Sequence, residues 1–453
     1  MKKQLIIGVL ALGTASAASG AIVTSFSQSV LYLRLLSRNA STDLDAAYYN
    51  PAGLTHLRDG FHIALYNQTI IVERRVINNF ALLNDPKYVG KVFGPFLPNF
   101  YAVYKKGGLA LSFGCGFNAG GVSADYERGL PSFETGIASL PSFLSLMGLP
   151  TTAYSADIVF KGLSAFPGFQ ANLSYAFNKM VSAAVGLRYI YALNTYEGDI
   201  ENIQINPIFP ALGWNGQMRS APSAFDDLYT VTGDATFLGL AAATSNMAVD
   251  AKQTGSGLTP ILSLHVRPVE ALNISAKYEF KTKLELTNTT TADDTGMFPD
   301  GGKMRNDIPA ILSLGVEYAL ITRLRASISF NYTFDKDANW EGREKLVDSN
   351  TWDFGVGVEY DVTKSIAVSA GYLRMKFGLS ADYQQDSTFM LSNHCFGVGG
   401  RIRSGEKLDI DIGGFLMNSQ DFSKPISYGL LGSSLEKYDM AALGFSIGLG
   451  YHF

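Results

Sequence analysis

In the final nine residues, FSIGLGYHF, the apolar Phe445, Ile447, Leu449, Tyr451 and Phe453 alternate with Ser446, Gly448, Gly450 and His452. A period of two gives one greasy face and one small polar face, the pattern of a strand rather than a helix. The same period recurs and predicts fourteen strands, near 61–75, 96–106, 108–118, 166–178, 181–197, 256–267, 270–286, 308–319, 323–334, 351–361, 364–376, 393–403, 406–418 and 441–453. Most reach the ~9–11 residues that a tilted membrane-crossing strand needs. The polar faces are plain: Gln170, Asn172 and Ser174 interleave with Phe169, Leu173 and Tyr175, and Ser327, Ser329 and Asn331 interleave with Ala326, Ile328, Phe330 and Tyr332.

The links between these runs alternate in length. Short ones fall at 105–107, 178–179, 268–270, 320–322, 361–363 and 404–406; long ones fall at 76–95, 119–165, 198–255, 287–307, 335–350, 377–392 and 419–440. A barrel inserted from one side has short inner turns, long outer loops and an even strand number, whereas a soluble sandwich has no reason to keep that order. The expectation is an all-β fold: a 14-stranded antiparallel transmembrane β-barrel over 61–453. Closure leaves no unpaired backbone edge in hydrocarbon. Eight strands already just fill a barrel with their own side chains, so fourteen leave a bore that something else must occupy.

Composition agrees. Glycine, at 46 of 453 residues, is above the usual ~7%, and charged residues make up 17% against the usual ~25%. The net charge of −4 becomes more negative once Lys2 and Lys3 are removed, so no basic face invites nucleic acid. Those lysines, the apolar Leu5 to Leu12 and the small Ala15-Ser16-Ala17 read as a signal peptide over about 1–21. No later run reaches the ~18 apolar residues of a spanning helix. Export and strand crossing together imply the outer membrane of a Gram-negative type of cell.

Catalytic and metal chemistry find little support. His56, His62, His265, His394 and His452 have no recognisable Ser or acid partner in sequence, and Cys115 and Cys395 have none at nucleophile or metal spacing. No enzyme, metal or cofactor is implied. The inward charges, among them Arg188, Lys277, Glu279, Glu317, Arg325, Asp353, Glu359, Arg403, Asp409 and Asp411, are mixed in sign. That mixture suits paired lumen charges better than an open porin of one polarity.

Residues 22–60 precede the first strand and end near Asn50-Pro51-Ala52-Gly53. Pro51 locks its own φ and pushes Asn50 out of the helical region, so the tetrapeptide fixes a turn. About forty residues suffice for a plug, or hatch, in the bore. In the third strand Gly114, Gly116, Gly120 and Gly121 mark a candidate kink and lateral gap. In the 119–165 loop, Phe133, Ile137 and Leu140 at helical spacing, with Phe143, Leu144 and Met147, form either an apolar groove or packing against Phe225, Leu228, Phe237 and Leu238.

With its SFSQS at 25–29, DLDAAYYNPAG at 43–53, LPNF at 97–100, fourteen strands and a final Phe, the chain resembles the FadL family of outer-membrane transporters of long-chain fatty acids and other hydrophobic compounds, which includes TodX-like aromatic-hydrocarbon channels. Upstream of the hatch motif it reads LYLRLLSRNAS, where the family often has a Gly-rich stretch. The resemblance implies a hatch motif at Asn50, Pro51 and Ala52. It also implies passive uptake of a fatty acid-like ligand through a groove and an inner pocket, with sideways release into outer-membrane lipid. Phe453 matches the signal read by the barrel-assembly machinery, and a monomer is expected. A ligand carboxylate needs a cation, for which Arg188, Lys277 and Arg325 are candidates. Aromatic hydrocarbons, haem-like ligands and a surface adhesin or scaffold role are the alternatives.

Overall fold

The computed structural model describes residues 27–453, so the expected signal peptide and the start of the hatch segment lie outside the described residues. The alternating runs become wall strands that follow one another in chain order, each antiparallel to the next: β1 (Gly60–Asn78), β2 (Lys87–Lys106), β3 (Leu109–Tyr126), β4 (Tyr154–Ala176), β5 (Val181–Ile205), β6 (Met247–Val269), β7 (Leu272–Glu279 continued by Glu285–Asp293), β8 (Lys303–Arg305 continued by Ile311–Ile321), β9 (Leu324–Thr333), β10 (Val347–Asp361), β11 (Ile366–Leu379), β12 (Asn393–Ser404), β13 (Leu408–Ser419 continued by Phe422–Ser427) and β14 (Ser433–His452). β14 pairs back onto β1 from His62↔His452 to Asn78↔Glu436 and closes the sheet.

Facing follows the period. On β14, Phe445 is 56% exposed on the outside while its neighbour Ser446 is 5% exposed on the inside, and the same outward row continues through Leu65, Phe113, Leu187, Leu264 and Ile328 around the wall. This belt is the lipid-facing band of a transmembrane barrel. Phe453 sits at its inner rim, its amide donating to the Phe61 carbonyl (3.0 Å) and its ring 5.5 Å from that of Phe61. Tight inner turns end the strands, with Gly107 and Gly405 at φ of 56° and 65°, the left-handed region that glycine adopts without strain.

Several strands run further outward than the period predicts. β2 begins at Lys87, β4 at Tyr154, β6 at Met247 and β14 at Ser433, and β5 continues to Ile205. Above the membrane neither face must be greasy, so pairing persists after the alternation is lost. Parts of the expected loops are therefore rising strands. On top of them, α3 (Pro131–Ala138), α4 (Leu140–Leu146), α5 (Ala221–Thr232) and α6 (Thr236–Ala243) form a small loop domain with its own apolar interior.

The segment before β1 lies inside the barrel. Helix α1 (Val30–Leu35) is capped by the Ser29 hydroxyl, which accepts from the Tyr32 amide (3.0 Å), and it ends where Leu36 turns left-handed at φ 53°. α2 (Ala46–Tyr49) and a 3-10 turn (Pro51–His56) follow. α1 lies on a lane of wall glycines: a Cβ at Gly355, Gly357, Gly371 or Gly397 would collide with the carbonyl oxygens of Leu36, Leu35, Leu35 and Leu33 respectively.

Candidate functional site

The hatch segment is held by the polar faces visible in the sequence. Gln170 and Asn172 both donate to the Ala47 carbonyl (2.8 and 2.9 Å), Ser174 to that of Pro51 (2.7 Å), and Ser182 to that of Ala52 (2.8 Å). On the opposite wall Ser329 bonds the Ser37 hydroxyl and the Asn39 amide, both at 3.0 Å. These side chains replace water on carbonyls and amides that a short irregular segment cannot satisfy by itself.

Asn50 is the pivot. Its backbone is at φ −152° and ψ 70°, outside the helical region, and Pro51 opens the 3-10 turn. The buried side-chain amide donates to the Ser41 carbonyl and to His265 Nδ1, both at 2.9 Å, and its oxygen accepts from Ser263 (3.2 Å). A Cβ at Gly53 would collide with the Ser41 carbonyl and the Asn50 amide, so glycine is required for that close approach. Asn50→Ala is expected to cost about 2 kcal/mol of local stability, because it strips a buried amide from three partners. The readout is faster protease cleavage within 27–59 while the barrel's heat-dependent gel mobility stays unchanged.

Charges complete the seat. Arg34 pairs with Glu359 and with Asp411 (3.3 Å), and Arg38 with Asp43 (2.6 Å) and Asp45 (2.8 Å). Arg401 of the wall bonds Asp43 and Asp411, both at 2.9 Å. Burial would raise the Asp43 carboxyl, but the Arg401 and Arg38 guanidiniums hold it well below the usual carboxylate range. These lumen charges thus pair with one another and with the hatch segment, while Glu317 and Asp353 accept from the amides of Asn273 and Asn331.

Above this floor lies a cavity of about 440 Å³, within the roughly 300–1,000 Å³ of ligand pockets. Leu33 and Leu36 form its base, and Ile70, Phe166, Phe377 and Phe415 are among the apolar side chains of its walls, softened by Met304, Met375, Met390, Met417 and Met440. Methionine fits irregular apolar guests because its chain is flexible and polarisable. Among the described residues the one cationic side chain on the lining is Arg74, from β1. Its Nε donates to the Tyr126 hydroxyl (3.2 Å), Nη2 donates to the Phe389 carbonyl (2.9 Å), Nη1 meets only the Met440 sulfur (3.8 Å), and the guanidinium stacks 4.0 Å from the Phe389 ring. Arg188 and Lys277 are instead engaged by Glu279, both at 2.6 Å, and Arg325 by Glu359. Those three candidate cations are therefore committed to the lumen network, Arg188 and Arg325 to acids on other strands and Lys277 to an acid two residues on along its own, whereas Arg74 has only neutral partners among the described residues.

The wall beside the cavity is incomplete. β2 and β3 pair at Val92↔Ala124 and again at Phe100↔Cys115, and between these points 93–99 and 116–123 do not pair. β3 shifts register against β4 in the same stretch, at Phe117/Ala119 and Gly120/Val122. Gly116, Gly120 and Gly121 lie in the unpaired stretch and Gly114 just before it; Gly120 is at φ +62°, and a Cβ there would collide with the Ser164 carbonyl. Val92, Ala119, Gly120 and Ala124 line the cavity, so the opening gives directly onto it. Outside, Phe96 is 76% exposed. Inside, the freed Phe117 carbonyl accepts from Gln28 Nε2 (2.6 Å), which partly offsets the missing ladder bonds. Pro95 and Pro98, in the unpaired part of β2, carry no N–H for a ladder. They are the sequence signal for this gap that complements the glycines.

The loop residues divide. Ile137, Leu140 and Leu144 are buried in the interior of the loop domain with Tyr154, Phe225, Leu228, Phe237 and Leu240, and Phe133 and Phe143 pack against it. Ile137, Leu140 and Leu144 therefore build the interior of the loop domain, because two short helices must first bury their own apolar stripe, while Phe133 and Phe143 stay half-buried at its edge. Met147, 41% exposed, is the member of the set left at the surface. Both cysteines are free, and Cys395 lines the cavity.

No protein-family model matches the chain, and no curated protein matches it. Among solved structures it is similar to a Pseudomonas aeruginosa FadL homologue, at 14% identity over 96% of this chain and 100% of that one, with a TM-score of 0.62. It is also similar to the P. putida toluene transporter TodX (14% identity, 91% and 95% covered, TM-score 0.56) and to the Ralstonia pickettii toluene transporter TbuX (14% identity, 91% and 94% covered, TM-score 0.55). The fold is thus the FadL/TodX type of fourteen-strand outer-membrane barrel that the sequence resemblance implied.

Proposed function

We propose that this barrel takes up hydrophobic small molecules of the fatty acid-like class across the outer membrane without an energy source. Cargo collects at the loop domain, occupies the cavity above the hatch segment, and leaves sideways between β2 and β3 into the lipid. The observation that carries this reading is the contiguity of an apolar cavity with an unpaired stretch of wall at Val92, Ala119, Gly120 and Ala124. An apolar solute gains by moving from water to such a cavity and again from the cavity to lipid, while the straight route is obstructed by the hatch segment. The cation in the lining favours cargo with an acidic head over a bare aromatic hydrocarbon.

Filling the cavity tests the reading. Ala442, buried on β14 and part of the lining, is replaced in Ala442→Trp. Purified wild-type protein is expected to retain a radiolabelled long-chain carboxylic acid, and the variant to lose at least about tenfold in affinity because the bulky ring occupies the cargo's volume. Equal binding by both proteins would place the cargo elsewhere and sink the proposal.

A further inference from the structure

The outer side of the cavity is covered by the loop between β11 and β12, and that loop is fastened to the cation that cargo would seek. Ser387, Thr388, Phe389 and Met390 all line the cavity. Phe389 is fully buried and clusters with Val76, Tyr88, Leu391 and Tyr438. The loop has other fastenings: Asp386 accepts from the Ser132 amide at the start of α3 (2.8 Å), Arg343 bonds the Tyr383 carbonyl (2.9 Å) and the Thr388 hydroxyl (2.6 Å), and Gln384 bonds the Met390 backbone (2.8 and 2.9 Å). The contact made by a charged side chain of the lining is that of Arg74 with the carbonyl and ring of Phe389.

We propose that Arg74 is a cargo-operated latch: the anionic head of an incoming amphipath takes the guanidinium from Phe389 and so releases this part of the loop over the cavity. The inference rests on the uptake reading above and adds to it a coupling between head-group binding and loop release. The chemistry is a competition for one donor group. A carboxylate engages two guanidinium N–H groups side by side and bonds them more strongly than a neutral carbonyl does. Nη1 is open to it, because a thioether sulfur at 3.8 Å is a weak acceptor. Nη2 is the second prong, and a head that takes the N–H now given to the Phe389 carbonyl breaks that 2.9 Å bond. A head seated there also competes with the Phe389 ring for the guanidinium, removing the second hold on the loop. Neutral cargo of the same shape fits the cavity but has no charge with which to win the exchange.

The test compares a long-chain carboxylic acid with its methyl ester on wild type and Arg74→Gln, reading both affinity and amide hydrogen exchange in 386–391. In wild type the acid is expected to bind about tenfold more tightly than the ester and to speed exchange in 386–391, while the ester leaves exchange unchanged. In Arg74→Gln the acid loses that advantage over the ester, and 386–391 exchanges fast without ligand. Equal affinities for acid and ester in wild type, or an acid that depends on Arg74 yet leaves 386–391 unchanged, would overturn the latch and leave uptake standing. If neither ligand binds in a way that Ala442→Trp blocks, the uptake reading fails, and the latch fails with it.

Discussion

Deleting residues 22–55 is expected to turn a nearly closed barrel into a conducting one. Among the described residues none of the wall's ladder bonds involves this segment, since β1 begins at Gly60 and pairs with β2 and β14. The fourteen strands can therefore still close, and water enters the vacated bore, because a barrel this wide cannot fill itself with its own side chains. Glu359, Asp411 and Arg401 lose hatch partners but gain hydration, which spares the folded state the cost of a buried unpaired charge. Single-channel conductance should rise by roughly tenfold or more, and small hydrophilic antibiotics should enter cells that carry the deletion. Asn50→Ala combined with Pro51→Ala should give a milder version, since it loosens one turn and leaves the rest of the seat. A parent that already conducts like an open pore, or a deletion that conducts no better, would remove the plugging role.

The second large effect is expected from sealing the wall. Between the two paired points seven residues of β2 face eight of β3, and the β2 stretch contains Pro95 and Pro98. Removing Gly120 equalises the lengths, and Pro95→Thr with Pro98→Thr supplies the N–H groups that a ladder needs. The sealed barrel should still bind cargo, because only Gly120 is taken from a lining of many apolar side chains. Its uptake by cells should fall by about tenfold, because the lateral step is lost. Undiminished uptake would mean that cargo leaves by another route.

Most of the wall was legible because lipid imposes a strict rule on every second residue. Leu173 and Ser174 announce their sides of β4 without any knowledge of partners. Where lipid ends the rule ends, which is why Tyr154, Met247 and Ser433 open strands that the alternation does not announce. Within the hatch the local signals were strong: a proline, an amide and a glycine in succession can hardly do anything but turn. The cavity was hidden because its lining comes from far-separated strands, and no spacing along the chain brings Arg74 near Phe389. Arg188 and Lys277 misled for the related reason that Glu279, which engages both, stands on another strand from Arg188 and two residues from Lys277 on the same face. Apolar helical spacing at Ile137, Leu140 and Leu144 reports a buried stripe, and it cannot report whether the cover is cargo or the rest of the loop domain.

The glycine lane under α1 has a mechanical consequence. Helices that interlock by ridges and grooves resist motion along their axes, because each side chain must climb over the next. Here the wall offers bare backbone at Gly355, Gly357, Gly371 and Gly397, and the helix meets it with carbonyl oxygens. On that side the surface has little corrugation, and Arg34 between Glu359 and Asp411 acts as an electrostatic detent. Travel along this lane is opposed by Arg34 between Glu359 and Asp411 and by the Ser329 bonds to Ser37 and Asn39, so the ends of the helix carry the load that its carbonyl face does not.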